Sequence, residues 1–172
     1  NMSSTATTVL LQPTGRVAQA YADDMGQGPL REIDYKNPAI SFSAGMLATT
    51  SNDLVKYVFG LLSNRMLSQQ GYETMWKYRP PLSTGKPSKW AFGWSAGANP
   101  KMGGNWVVSM NGGTQGVAST IILLPEANSA VIALCNLRKP PVYAIASTAA
   151  KIAFGNGEVD GNSEEVPGQG GD

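Results

Sequence analysis

Between residues 90 and 136 the chain reads as four short apolar runs whose breaks leave room for turns only, and this constrains the fold more than any other feature of the sequence. Trp90, Phe92 and Trp94 alternate with Ala91, Gly93 and Ser95, the period of two that a half-buried strand requires. Residues 106–110, 116–124 and 130–136 read as three further strands. They are separated by Gly103-Gly104-Asn105, by residues 111–115 and by residues 125–129. Parallel neighbours need a long crossover, so strands joined this closely form an antiparallel meander.

Helical periodicity flanks the meander on both sides. Thr50-Ser51-Asn52-Asp53 offers a hydroxyl cap followed by an acid, and Val55, Val58, Phe59 and Leu62 then recur at helical spacing, predicting a helix over 51–64 with those four residues inward. Ser68 reads as the cap of a shorter helix through 69–77, stopped by Pro80-Pro81, with a loop over 80–89. Pro141 opens a last helix to 154, in which Val142, Ile145, Ala149 and Ile152 mark the inward face. The reading is α+β: an antiparallel meander flanked by helices over 39–154, preceded by an irregular or lightly stranded connecting segment, 1–38. Residues 155–172 are acidic, Gly-rich and almost without apolar side chains, which predicts a disordered tail.

Composition removes several chemistries. The chain has 1 Cys and no His, so an intrachain disulfide, a His-type or CxxC zinc site and a Ser-His-Asp triad are all excluded. Cys135 lies in the apolar run 130–135 and reads as a buried structural thiol. Of 12 acidic residues five fall beyond residue 154, leaving 13 basic and 7 acidic side chains over 1–154, scattered and without basic runs. That pattern does not predict nucleic-acid binding, and no apolar stretch reaches the ~20 residues that span a bilayer. Metals and organic cofactors find no support. With Asn1 in place of an initiator Met, the chain is expected to begin inside a longer reading frame.

Three short patterns imitate catalytic motifs. Gly93-Trp94-Ser95-Ala96-Gly97 matches G-x-S-x-G, but no helix is predicted after the serine and no His exists to take its proton. Ser83-Thr84-Gly85-Lys86 matches S-x-x-K, yet three prolines and a glycine over 80–88 oppose the helical turn that stacks the amine on the hydroxyl. Tyr35-Lys36-Asn37 matches Y-x-N immediately before Pro38 and reads as a surface turn. The stretch Met110-Asn111-Gly112-Gly113-Thr114-Gln115-Gly116 is different in kind. Adjacent glycines at a strand end let another backbone approach closely and can aim an unpaired N–H at an oxyanion, although a Gly-rich hairpin turn would use the same residues.

Phe42-Ser43-Ala44-Gly45-Met46-Leu47-Ala48-Thr49-Thr50-Ser51-Asn52-Asp53-Leu54 resembles the "AGGL-ST-DL" segment of the serine β-lactamase-like family of class C β-lactamases, DD-peptidases and related esterases. In order behind it, Phe92-Gly93-Trp94 resembles the family's "GxGW" strand, and 111–116 the heart of its "H-[ST/N]-G-G-T-x-G" motif. Residues 123–126 with 131–136 resemble its "LLPE … VVxLxN" hairpin. The resemblance covers about 39–154 and implies the C-terminal half of that fold.

The resemblance also implies roles. Met110, Asn111 and Gly112 become third-motif positions on the strand that walls the active site. Gly113 offers one backbone N–H of the oxyanion hole, and Thr114 is a substrate contact. The substrate, a small-molecule or peptide acyl compound, would lie along this strand edge. Met110 falls where the family carries His or Lys, and a register slid by one would put Asn111 there instead. A thioether moves no proton, and losing such a group commonly costs ~10²–10⁴ in rate.

The family's S-x-x-K and Y-x-N motifs precede the matched region, so the nucleophile is expected in a missing N-terminal half and this chain alone should be inactive. The resemblance further implies an extracytoplasmic location. Two rival readings are a catalytically inactive binding or structural module of the same fold, and a free-standing β-rich domain whose likeness is accidental.

Overall fold

The computed structural model describes residues 1–8, 14–23, 28–33, 42–45, 47–114, 116–138 and 140–155. In chain order the elements are β1 (Ala6–Thr7), β2 (Ala20–Ala22), β3 (Arg31–Ile33), β4 (Leu47–Ala48), α1 (Ser51–Leu62), α2 (Gln69–Lys77), β5 (Ser95–Ala98), β6 (Trp106–Thr114), β7 (Val117–Leu124), β8 (Ser129–Cys135) and α3 (Val142–Phe154). β5-β6-β7-β8 form the antiparallel meander that the short breaks predict. β1 pairs with β4 and β2 with β3 in two small antiparallel sheets, so the leading segment is lightly stranded. The small β2–β3 hairpin is tied to the meander, because Tyr21 exchanges main-chain hydrogen bonds with Asn136 and Arg138 (2.9 and 2.8 Å).

Helices cover both faces of the meander. On one face Val58 and Leu61 of α1, Tyr72 and Trp76 of α2 and the strand residues Trp94, Ala96, Val108 and Leu123 form a continuous apolar cluster. On the other, Ala146 and Ala150 of α3 pack with Met102, Val107, Ile122 and Leu124. Ile122, Leu123 and Leu124 are fully buried, each contributing roughly 1.5–3 kcal/mol of transfer free energy.

The inward faces of the helices differ from those the apolar spacing suggests. Val55 and Phe59 of α1 are 57% and 56% exposed, while Val58 and Leu61 point in. Asp53 sets this rotation. Its N–H caps on the Thr50 hydroxyl (3.2 Å), and its buried carboxylate accepts from the Ser4 N–H (2.7 Å), the Thr5 hydroxyl (3.0 Å) and the Lys56 ammonium (2.7 Å). These bonds pin the Asp53 side of α1 to the N-terminal strand and hold the carboxyl below its usual value, the Lys56 hydrogen bond being the largest cause.

In α3 the buried positions are Val142, Ala146, Ser147 and Ala150, whereas Ile145 and Ile152 are 60% and 65% exposed. The facing sheet supplies the bulk, through Ile122, Leu124 and Val107, so the helix approaches it on its small residues.

Strand boundaries also differ. Residues 90–94 are not a strand: Ala91 N–H bonds to the Trp94 carbonyl (2.7 Å), Gly93 takes a left-handed φ of 74°, and Trp90 makes only an isolated bridge to Ser95. Trp94 is buried but Trp90 and Phe92 are not, and the strand begins at Ser95. The break expected over 111–115 is strand through Thr114. α1 ends at Leu62, where Ser63 and a left-handed Asn64 (φ 55°) turn the chain. Cys135, expected to be buried, is a partly exposed free thiol. The predicted tail beyond 155 and the Tyr35-Lys36-Asn37 pattern lie outside the described residues. Among the described residues no helix is long and apolar enough to cross a membrane.

Candidate functional site

The middle strand β6 changes character along its length. Trp106, Val107, Val108 and Ser109 pair with Ala98, Gly97, Ala96 and Ser95 of β5, and there the pairing stops. From Met110 to Thr114 the strand keeps β7 on one side, in the register Met110↔Ile121, Asn111↔Thr120, Gly112↔Ser119, Gly113↔Ala118 and Thr114↔Val117. No described strand pairs with its other side. Alternate residues of an antiparallel strand turn their N–H and C=O outward, so this edge presents main-chain donors and acceptors ready for an added strand.

The edge is rigidly built. Asn111 is exposed, but its Oδ1 accepts a 2.6 Å hydrogen bond from the hydroxyl of fully buried Thr120, which fixes the amide against the sheet. At Gly112 a Cβ would stand 2.6 Å from Ser119 Oγ, so a side chain there must displace that hydroxyl. Gly116, at the end of the hairpin, takes a φ of 76°, and a Cβ there would lie 2.6 Å from the Cβ of Ala20. The small sheet from the leading segment thus buttresses the hairpin. Gly112, Gly113 and Thr114 are exposed to solvent.

Met110 is half-buried and packs on the cluster of Trp94, Trp76 and Val108 rather than standing free above the edge. The five positions singled out in sequence, Met110, Asn111, Gly112, Gly113 and Thr114, therefore lie on one continuous stretch of exposed edge, with Met110 as its anchor. Ser119 and Thr120 were missed, because within the run 117–124 they read as ordinary alternation. Their signal is that hydroxyls face a glycine and an asparagine across the pair.

Two of the imitative patterns lie among the described residues, and neither has the helical turn its chemistry needs. Ser83 and Lys86 are exposed in a tight turn, where Leu82 N–H bonds to the Lys86 carbonyl (2.7 Å) and Gly85 N–H to the Leu82 carbonyl (2.8 Å). Ser95 opens strand β5, so the strand-to-helix turn of a nucleophile elbow is not formed there. A shallow cavity of about 210 Å³ lies at the opposite end of β6, between Trp76, Trp106 and Glu126, some six residues or about 20 Å from the glycines. Among the described residues no three His, Cys, Asp or Glu side chains gather.

A family model described as Beta-lactamase matches residues 1–154. The fold is similar to that of the octameric penicillin-binding protein homologue from Pyrococcus abyssi (TM-score 0.71, 20% identity, 88% of this chain and 34% of that one). It is also similar to FmtA from Staphylococcus aureus (TM-score 0.63, 15% identity, 94% and 43%). A class C beta lactamase from Rhodobacter sphaeroides matches as well (TM-score 0.60, 17% identity, 87% and 49%). The chain thus spans between a third and a half of the length of these structures. No curated protein sequence matches it.

Proposed function

The chain belongs to the beta-lactamase family of serine hydrolases, and from that premise we propose that it forms the substrate-binding sheet edge of an enzyme that cleaves an amide or ester through an acyl-enzyme. The single observation that carries this reading is the one-sided pairing of β6 from Met110 to Thr114. An extended acyl substrate adds to that edge as a strand. Gly113 N–H is one donor to the tetrahedral oxyanion, the nucleophile's own N–H is the second, and Thr114 contacts the substrate. Met110 stands where the resemblance puts a proton-transfer group, and Asn111, on the opposite face of the strand, is held by Thr120. The activated serine resides in an N-terminal half of the same domain, carrying S-x-x-K ahead of residue 1. The whole protein works outside the cytoplasm.

The packing of Met110 into the core favours a second reading, in which the same edge binds a peptide or acyl compound without turning it over. Labelling the full-length protein with a fluorophosphonate and with a fluorescent penicillin separates them. Stoichiometric label on one serine of an S-x-x-K upstream of residue 1 is expected. An upstream reading frame without that motif, or a full-length protein that takes no label, removes the enzymatic reading and leaves the binding one.

A further inference from the structure

We propose that residues 78–92 form a docking surface for an anionic phospholipid bilayer, seating aromatic and leucine side chains among the headgroups. The inference does not depend on the reading of β6, since it concerns another segment and another ligand. Tyr78, Leu82, Trp90 and Phe92 are 55%, 52%, 51% and 56% exposed. Large apolar side chains this exposed and this close in sequence mark an interaction surface rather than a core. Three of the four are aromatic, and Trp and Tyr favour the boundary between headgroups and acyl chains, where one end of the ring is apolar and the other wet.

The surface is built before anything docks on it. Pro81 bridges Pro87 in an antiparallel pair, flanked by bonds from Leu82 N–H to the Lys86 carbonyl (2.7 Å) and from Ser88 N–H to the Pro80 carbonyl (3.0 Å). Residues 80–88 are thus a closed hairpin, whose tip is tightened by Gly85 N–H on the Leu82 carbonyl (2.8 Å). Every residue from 80 to 87 is exposed. At the base the Tyr78 and Phe92 rings stack at 5.8 Å with an interplanar angle of 18°. Phe92 N–H on the Met75 carbonyl (3.3 Å) and Ala96 N–H on the Lys89 carbonyl (2.9 Å) tie that base to α2 and β5. Side chains carried on a hairpin fixed in this way lose little freedom on binding.

Charge selects the partner. The sequence has no acidic residue between Glu73 and Glu126. Arg79 is turned inward, onto the Ala96 carbonyl (3.4 Å) and the Trp106 ring (5.2 Å), and Lys77 borders the shallow cavity together with Glu73 and Glu126. Lys86 and Lys89 remain. Both are exposed, lie in or beside the hairpin, and make no ion pair among the described residues. Apolar side chains flanked by lysines, with no acid among them, fit a surface that offers phosphates to the ammonium groups and an apolar layer to the rings and to Leu82. The protein would rest on the bilayer by this hairpin.

The test is flotation of the full-length protein, prepared without any leader or lipid anchor, with vesicles of phosphatidylcholine alone and of phosphatidylcholine mixed with phosphatidylglycerol. Binding to the mixed vesicles is expected, with a blue shift of tryptophan emission, and it should weaken as salt is raised. Lys86→Gln and Lys89→Gln should each lower the affinity about fivefold. Trp90→Ser should lower it about tenfold and remove the blue shift, while the melting temperature of all three variants stays unchanged. Ile152→Ser, which removes an equally exposed apolar side chain on α3, should leave vesicle binding as it was. No binding to the mixed vesicles, or equal binding to both kinds, overturns the proposal. So does binding that the lysine and Trp90 variants leave intact, or that Ile152→Ser lowers as much, since the contact then lies elsewhere. Trp90 shielded from acrylamide in the vesicle-free protein assigns the hairpin to an intramolecular partner and overturns it as well.

Discussion

Two stretches of the same strand follow opposite rules. Val108 and Ser109 of β6 have strands on both sides and are buried, Val108 completely. Two residues later the strand is rich in glycine, paired on one side only and open to solvent. Apolar burial on both faces builds the scaffold, and the strand then leaves that scaffold still hydrogen-bonded along one flank. An edge made this way inherits the rigidity of the core without being sealed in it. That is how a stretch of Asn, Gly, Gly and Thr can be ordered where a free loop of the same composition would not be.

The largest test of this contrast is Leu123→Ala. Leu123 is fully buried opposite Val108, and its truncation should cost about 2–5 kcal/mol in chemical denaturation. A loss under about 1 kcal/mol would mean that the packed end is no firmer than the open one. On the open half, Gly112→Ala should cost about 1–3 kcal/mol because the new methyl meets Ser119 Oγ, and adding Ser119→Ala should restore most of it. Additive effects in that double-mutant cycle would show that the close approach is not the cause. Thr120→Val leaves the Asn111 amide oxygen without its donor and should cost about 1–2 kcal/mol, with a shifted Asn111 side-chain amide signal.

Acid probes a third region. Asp53 is held below its ordinary carboxyl value of 3.8 in the folded chain, so its contribution is present above that value and fades as pH falls through the lower folded one. Hydrogen exchange at the Ser4 amide should quicken as pH falls below about 3.8, after correction for intrinsic rates, and Asp53→Asn should flatten that response. The smallest effect is expected at Ile152→Ser on the outer face of α3, within about 0.5 kcal/mol. A large loss there would mean that the outer face is packed after all.

Local rules carried much of this architecture in the sequence. Thr50 and Ser68 both cap the helices they were expected to cap, and short turns enforce the meander. What the sequence obscured is which side of a helix wins when apolar residues surround it. The helical spacing of Ile145, Ile152 and Phe59 suggested burial, but the sheet already holds the bulk, and Asp53 fixes one helix by polar bonds that hydropathy does not see. The aromatic alternation at 90–94 misled for a similar reason, since a left-handed Gly93 converts a strand pattern into a turn. For the candidate site, the glycine pair was visible as a departure from apolar alternation. Its buttresses were not, because Ser119, Thr120 and Ala20 acquire their meaning only through cross-strand register and a contact nearly a hundred residues away in sequence.

The most direct measurement is residue-resolved hydrogen exchange along β6 in the unliganded chain. Protection is predicted to be continuous at Val108 and Ser109 and then to alternate from Met110 to Thr114, slow for the amides bonded to β7 and fast for those turned outward. Uniformly slow exchange through Thr114 would mean that something already covers this flank, and the account of an open edge awaiting an added strand would be contradicted.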